Sequence, residues 1–197
     1  MKQFETKTFE IPELIGISAK NIEEHLKLYA GYVKHANLII EKIEEYKSDS
    51  EKNAYVLGEL HRRFAFEFDG MRNHEYYFGS LVGGAQPLAD GPLMNTINKQ
   101  FGSYESFLNS IKAVALTRGI GWAVLYYDKH TDRLLTQWVD EQHLGHLTGL
   151  SWIIGIDVWE HAFVFDYQPS GKKQYVEDFF ANINWSVIEE NFRHATE

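Results

Sequence analysis

The stretch Ser151-Trp152-Ile153-Ile154-Gly155-Ile156-Asp157-Val158-Trp159-Glu160-His161 decides how this chain is read. It begins as an almost unbroken apolar run, which reads as a strand over 151–159, central in its sheet and covered on both faces. At its end stand Asp157 and His161, flanked by Trp159, Ala162 and Phe163. A carboxylate and an imidazole in apolar surroundings are costly unless a partner compensates them. Two arrangements meet that need: a buried Asp–His hydrogen bond, or a metal ion that holds both groups and fixes their protonation.

Upstream of this strand the apolar period is that of a hairpin. Trp122–Tyr127 and Leu134–Val139 are compact apolar runs, separated by the turn-like segment Asp128–Asp132. Before them come two short helical patterns, roughly 93–101 and 103–116, the second capped by Ser103. Gly83 to Pro92 is the clearest linker. The N-terminal part is different in kind. Residues 1–17 read as an extended arm broken by Pro12 and Gly16, and Ser18 is the N-cap of a long helix. Its apolar positions Ile22, Leu26, Tyr29, Val33, Ala36, Ile40 and Ile43 alternate steps of four and three, the stripe of a helix packed on another helix. The polar segment Tyr46–Asn53 turns the chain into a second helix, from about Ala54 to Leu81. Two helical segments, 171–182 and 185–194, close the chain. The expected fold is α+β: an N-terminal long antiparallel helical hairpin, residues 1–85, then an α/β domain with a three-stranded antiparallel sheet, residues 86–197, with the site between them.

Composition narrows the chemistry. The chain has no cysteine, so disulfides, thiolate catalysis and Cys-held metals are excluded, and any metal is held by nitrogen and oxygen. The formal net charge of −9, with basic residues scattered, argues against nucleic-acid or anionic-membrane binding. No stretch approaches the length of a membrane span and the N-terminus lacks an apolar signal core, so a cytoplasmic protein is the default expectation. Aromatics make up 15% of the residues, enough rigid ring surface to wall a dry site.

Nine histidines are available as ligands. His35, His61, His130 and His194 lie among polar or charged neighbours and read as surface residues. His74 is ringed by aromatics in Asn73-His74-Glu75-Tyr76-Tyr77-Phe78, and His25 lies at the edge of the first helix's apolar stripe. Tyr32 follows His25 by seven residues, almost two helical turns, and so shares its face. Two helical histidines, a strand-end Asp and one further His form an N3O set, which suits iron or manganese.

Asp157-Val158-Trp159-Glu160-His161-Ala162, with Tyr175 and Asn184-Trp185 downstream, resembles the signature and tail of the iron/manganese superoxide dismutases. Asn73-His74, Gly121-Trp122-Ala123 and Tyr32-Val33-Lys34-His35-Ala36-Asn37 match the same family, in the right order over nearly the whole chain. The resemblance implies one Mn or Fe ion per subunit, bound by His25, His74, Asp157 and His161, and disproportionation of superoxide to O2 and H2O2. It implies that Tyr32 is the active-site tyrosine and that Gln142 hydrogen-bonds the metal-bound solvent; His143, one residue on, is the alternative. Trp122 and Trp159 match aromatics that wall the site. A trivalent ion with one Asp and one hydroxide leaves a local charge of about +1, which attracts the anion despite the global charge. Lys27, Lys172 and Lys173 are candidates to add to that field, although a solvated surface role is the commoner one for each.

The sequence also departs from the family. The family usually places a His eight residues before the tyrosine, within a His-His-x-x-His-His-x-x-Tyr pattern. Here position 24 is Glu, and His25 precedes Tyr32 by seven. In a regular helix eight residues overshoot two turns by about 80°, so an eight-residue spacing calls for a one-residue π-bulge and a seven-residue spacing does not. Glu24 is the rival ligand. The family's interface His and Tyr are replaced by Leu28 and Val164, while Glu160, which in the family reaches the partner subunit's metal-ligating histidine, is kept. A homodimer through the Glu160 region is implied. Iron-type members often supply the solvent-contacting Gln four residues before the second-helix His; that position is Gly70, and Gly155 stands two before Asp157, which leans towards manganese. Two rivals remain: a catalytically inactive metal-binding relative, and a non-haem iron oxygenase using only His74, Asp157 and His161.

Overall fold

The computed structural model describes residues 2–197. Helix α1 spans Ala19–Tyr46 and starts where the Ser18 hydroxyl accepts from the Asn21 N–H. It buries Ile22, His25, Tyr29, Val33, Ala36 and Ile39. The stripe therefore ends on Ile39; Leu26, Ile40 and Ile43 lie half-buried at its margins. The helix is α-helical throughout, without a bulge. After a short 3-10 turn at Lys47–Asp49, α2 runs back along it from Ala54 to Gly79. Asn53 closes the corner by donating its side-chain amide to the Tyr46 carbonyl. The N-terminal arm lies against the hairpin: Asn37 pairs with both backbone groups of Phe4, and the Phe9 ring packs on Tyr29 and Phe78.

Beyond the linker come α3 (Pro92–Phe101), with proline in its first turn, and α4 (Tyr104–Ala115), capped by Ser103. The sheet follows as β1 (Gly121–Asp128), β2 (Arg133–Asp140) and β3 (Ser151–Asp157), all antiparallel. Helices α5 (Lys172–Ala181) and α6 (Trp185–Thr196) finish the chain. Asn184 bonds the Val82 carbonyl and its backbone bridges to Gln86, tying the tail to the linker.

The strand order is β2-β1-β3, so β1 is central and β3 is an edge strand. This corrects the expectation that 151–159 is central, and the strand ends at Asp157 rather than Trp159. The apolar run reports burial on both faces, and here α2 and α6 supply that cover without a second neighbouring strand. Trp159 turns away into a 3-10 turn at Glu160–Ala162, which packs on α1 and brings His161 back under Asp157.

Gly155 makes room for Trp152, whose ring stacks on Tyr76 and meets Trp122 edge-on. A Cβ at Gly155 would fall 2.0 Å from that ring. Gly155→Ala is expected to destabilise the fold by about 1–3 kcal/mol through overpacking, measured by chemical denaturation. Trp152→Leu in the same chain should recover part of the loss.

Candidate metal centre

Four elements meet at one buried carboxylate. The Asp157 Oδ2 lies 3.2 Å from His25 Nε2, 3.5 Å from His74 Nε2 and 3.1 Å from His161 Nε2. One donor atom from each of these four residues lies within 4.8 Å of every other. His25, His74 and Asp157 are wholly buried, and the His161 side chain keeps 20% of its surface exposed. The carboxylate is held firmly. Its Oδ1 accepts the Trp159 N–H at 2.9 Å, and the Tyr175 hydroxyl donates to the Asp157 backbone carbonyl at 2.7 Å.

Protonation follows from the partners. His74 Nδ1 lies 2.6 Å from the Gly70 carbonyl, which can only accept, so the proton is on Nδ1. The Nε2 lone pair then faces the cluster, buried and without a hydrogen-bond partner. Burial lowers the His74 pKa to about 3, with the His25 charge acting the same way. Burial also lowers that of His25, against the pull of Asp157. For Asp157, burial pushes upward, but His161 and His25 outweigh it and hold the carboxyl well below its usual range. Three imidazoles around one buried carboxylate, two of them disfavoured as cations by burial and one with a dry lone pair aimed inward, fit a cation. The N3O donor set fits iron or manganese.

Beside the cluster runs a hydrogen-bonded chain. The Trp122 indole, which can only donate, bonds Gln142 Oε1 at 2.9 Å and so fixes the amide's orientation. Gln142 Nε2 donates to the Tyr32 hydroxyl at 3.0 Å. Burial pushes the Tyr32 phenol well above its ordinary range, so it stays protonated. Its ring lies over Gly70, where a Cβ would come within 2.5 Å. Trp122 meets His74 edge-on, and Trp159 stacks on His161.

Residues 89–191 match the family model for the C-terminal domain of iron/manganese superoxide dismutases. The chain is 35% identical to the superoxide dismutase [Fe] of Aquifex aeolicus, covering 92% of this chain and 87% of that one. It is 35% identical to the superoxide dismutase [Mn] of Mycolicibacterium fortuitum, covering 87% and 82%. With the superoxide dismutase [Fe] of Methanothermobacter thermautotrophicus it shares 31% identity over 98% of both chains. The chain belongs to the iron/manganese superoxide dismutase family. The helical hairpin followed by the three-stranded α+β half is the fold expected of that family.

Within this family member, the six residues singled out from the sequence are brought together: His25, His74, Asp157 and His161 in the cluster, Tyr32 and Gln142 beside it. Glu24 is elsewhere, paired with Lys20 at 2.8 Å and Lys27 at 3.0 Å on the surface. Those pairs also engage Lys27, and Lys172 donates to the Thr117 carbonyl. His143 does not bond Tyr32; its ring meets Phe66. His35, His61, His130 and His194 are exposed. Sequence reasoning missed Asn73 and His146, both of which bond the Gln142 backbone carbonyl. Neither carried a spacing signal, because their common target is a main-chain atom, which a residue of any type would offer.

An ion that binds this cluster binds only the folded chain. At about a thousandfold excess over its Kd it should raise Tm by about 10 °C relative to metal-free protein, read by differential scanning calorimetry with and without chelation.

Proposed function

We propose that this chain disproportionates superoxide to O2 and H2O2, using one Mn or Fe ion per subunit held by His25, His74, Asp157 and His161. The observation that carries this reading is the convergence of three imidazole nitrogens on one buried carboxylate oxygen, with the Gln142–Tyr32 bond beside it. When bound, iron or manganese supplies one-electron cycling between the divalent and trivalent states, which zinc cannot. The chain's own residues do the rest. His74 presents Nε2 because Gly70 holds the proton on Nδ1. Tyr32 accepts from Gln142, so its own O–H is left to donate into the site; its raised pKa keeps that proton on the hydroxyl. Trp122, Trp159, Tyr77 and Phe78 exclude bulk water from the four donors.

Two finer readings belong to this proposal. The ion is manganese in preference to iron, supported by Gly70: the Tyr32 ring occupies the space any side chain there would need, so the amide comes from Gln142 instead. The protein works as a homodimer through the Glu160 region. Glu160 is exposed, and Leu28, Val164 and Phe165 are exposed apolar residues on α1 and the segment just after Glu160. Sedimentation should show a dimer that Glu160→Ala weakens.

The decisive measurement pairs metal analysis with superoxide consumption. Wild-type protein should hold about one ion per chain and be active, more so with manganese than with iron. His25→Ala should lose the ion and at least about a hundredfold in activity, more than an outer hydrogen-bond partner costs. Glu24→Ala should keep both. A fully metallated wild type that leaves superoxide untouched would make the protein an inactive relative.

A further inference from the structure

Gln142 sits in a tight reversal of the chain. Asp140 and Leu144 exchange backbone bonds of 2.8 and 3.1 Å, and Glu141 takes a left-handed φ of 52°. A short exposed turn would leave the Gln142 carboxamide free to swing. Two side chains grip its backbone carbonyl instead: Asn73 Nδ2 at 2.9 Å and His146 Nε2 at 3.0 Å. A carbonyl only accepts, so His146 carries its proton on Nε2. Its Nδ1 is left to accept from the Tyr126 hydroxyl, 2.5 Å away.

The same strand face thus acts on Gln142 twice. Trp122 and Tyr126 are four residues apart on β1, which puts them on one side of the sheet, and both pack on Trp152. Trp122 holds the carboxamide directly; Tyr126 holds the backbone through His146. Among the ionisable groups around His146, Asp69 on α2 brings Oδ2 to 3.9 Å from Nε2, farther than the carbonyl, and Arg72 and His194 line the same cavity.

We propose that His146 is a positioning residue for Gln142: its Nε2–H, with the ring steadied at Nδ1 by Tyr126, fixes the turn so that the carboxamide reaches Tyr32. This rests on the reading above that Gln142 and Tyr32 serve the reaction. Nothing in the motifs that mark the family involves Tyr126 or His146.

The test compares metal-loaded His146→Ala, His146→Gln and Tyr126→Phe with wild type by crystal structure, metal content, kcat and KM. In His146→Ala the metal content should be unchanged, Gln142 Nε2 should leave hydrogen-bond range of the Tyr32 hydroxyl, and kcat should fall about tenfold with KM moving less. His146→Gln, whose amide can donate to the same carbonyl, should restore most of both. Tyr126→Phe removes the bond that steadies the His146 ring at Nδ1 and should lower kcat about threefold, as for one neutral hydrogen bond. A His146→Ala structure with Gln142 still bonded to Tyr32, or a Gln variant as impaired as the Ala one, overturns the proposal. Should His146→Ala fail to fold, an undisturbed Gln142 and kcat in Tyr126→Phe overturns it equally. The crystallographic distance does not depend on turnover: an inactive wild type would end the dismutase reading, and Gln142 displacement would still decide the role of His146.

Discussion

A carboxylate with no exposed surface governs this structure. Asp157 sits at the end of an apolar strand, where an unpaired charge is costly enough that the fold must compensate it. Compensation comes from three imidazoles on three other elements, α1, α2 and the turn after β3. The helical hairpin and the sheet half are therefore joined at a polar point as well as by apolar packing. Tyr175 and the Trp159 N–H hold the carboxylate from behind, so its geometry is set by α5 and by its own chain before any ligand arrives.

Around that point the chain separates two kinds of support. Rings exclude water: Trp122, Trp159, Tyr77 and Phe78 lie within about a ring's width of the donors. Hydrogen bonds fix direction, and most of them are unambiguous because one partner can act only one way. The Gly70 carbonyl sets the His74 tautomer, the Trp122 indole sets the Gln142 amide, and the Gln142 carbonyl sets His146. Gly70 has two uses, since its bare Cα also admits the Tyr32 ring.

Much of this was legible in the order of residues. Helix period and capping located α1, and the seven-residue interval placed His25 and Tyr32 on one face because the helix is regular. The hairpin at 121–140 followed from two apolar runs and a polar turn. The misreading of β3 as central has a simple cause: an apolar run measures cover on two faces, and helices can provide it beside a sheet edge. His146 and Tyr126 left no trace in the pattern, and Asn73 stood out only as the neighbour of His74 in a family motif. Asn73 and Tyr126 find partners remote in sequence, His146 meets Gln142 within one loop, and two of the bonds go to a backbone atom that any residue would offer.

By itself the sequence determined the α+β class, the helical hairpin, the family, and six residues that the fold gathers in one place, because periodicity, capping and a specific motif are local properties of the chain. Tertiary structure alone decided which strand is central, that Glu24 faces Lys20 and Lys27 while His25 faces Asp157, and that Gln142 rather than His143 meets Tyr32. Those outcomes depend on contacts between residues many positions apart, and on which atoms of a turn point inward. Only packing settles such questions, since a shift of one residue exchanges the buried side of a turn for the exposed one.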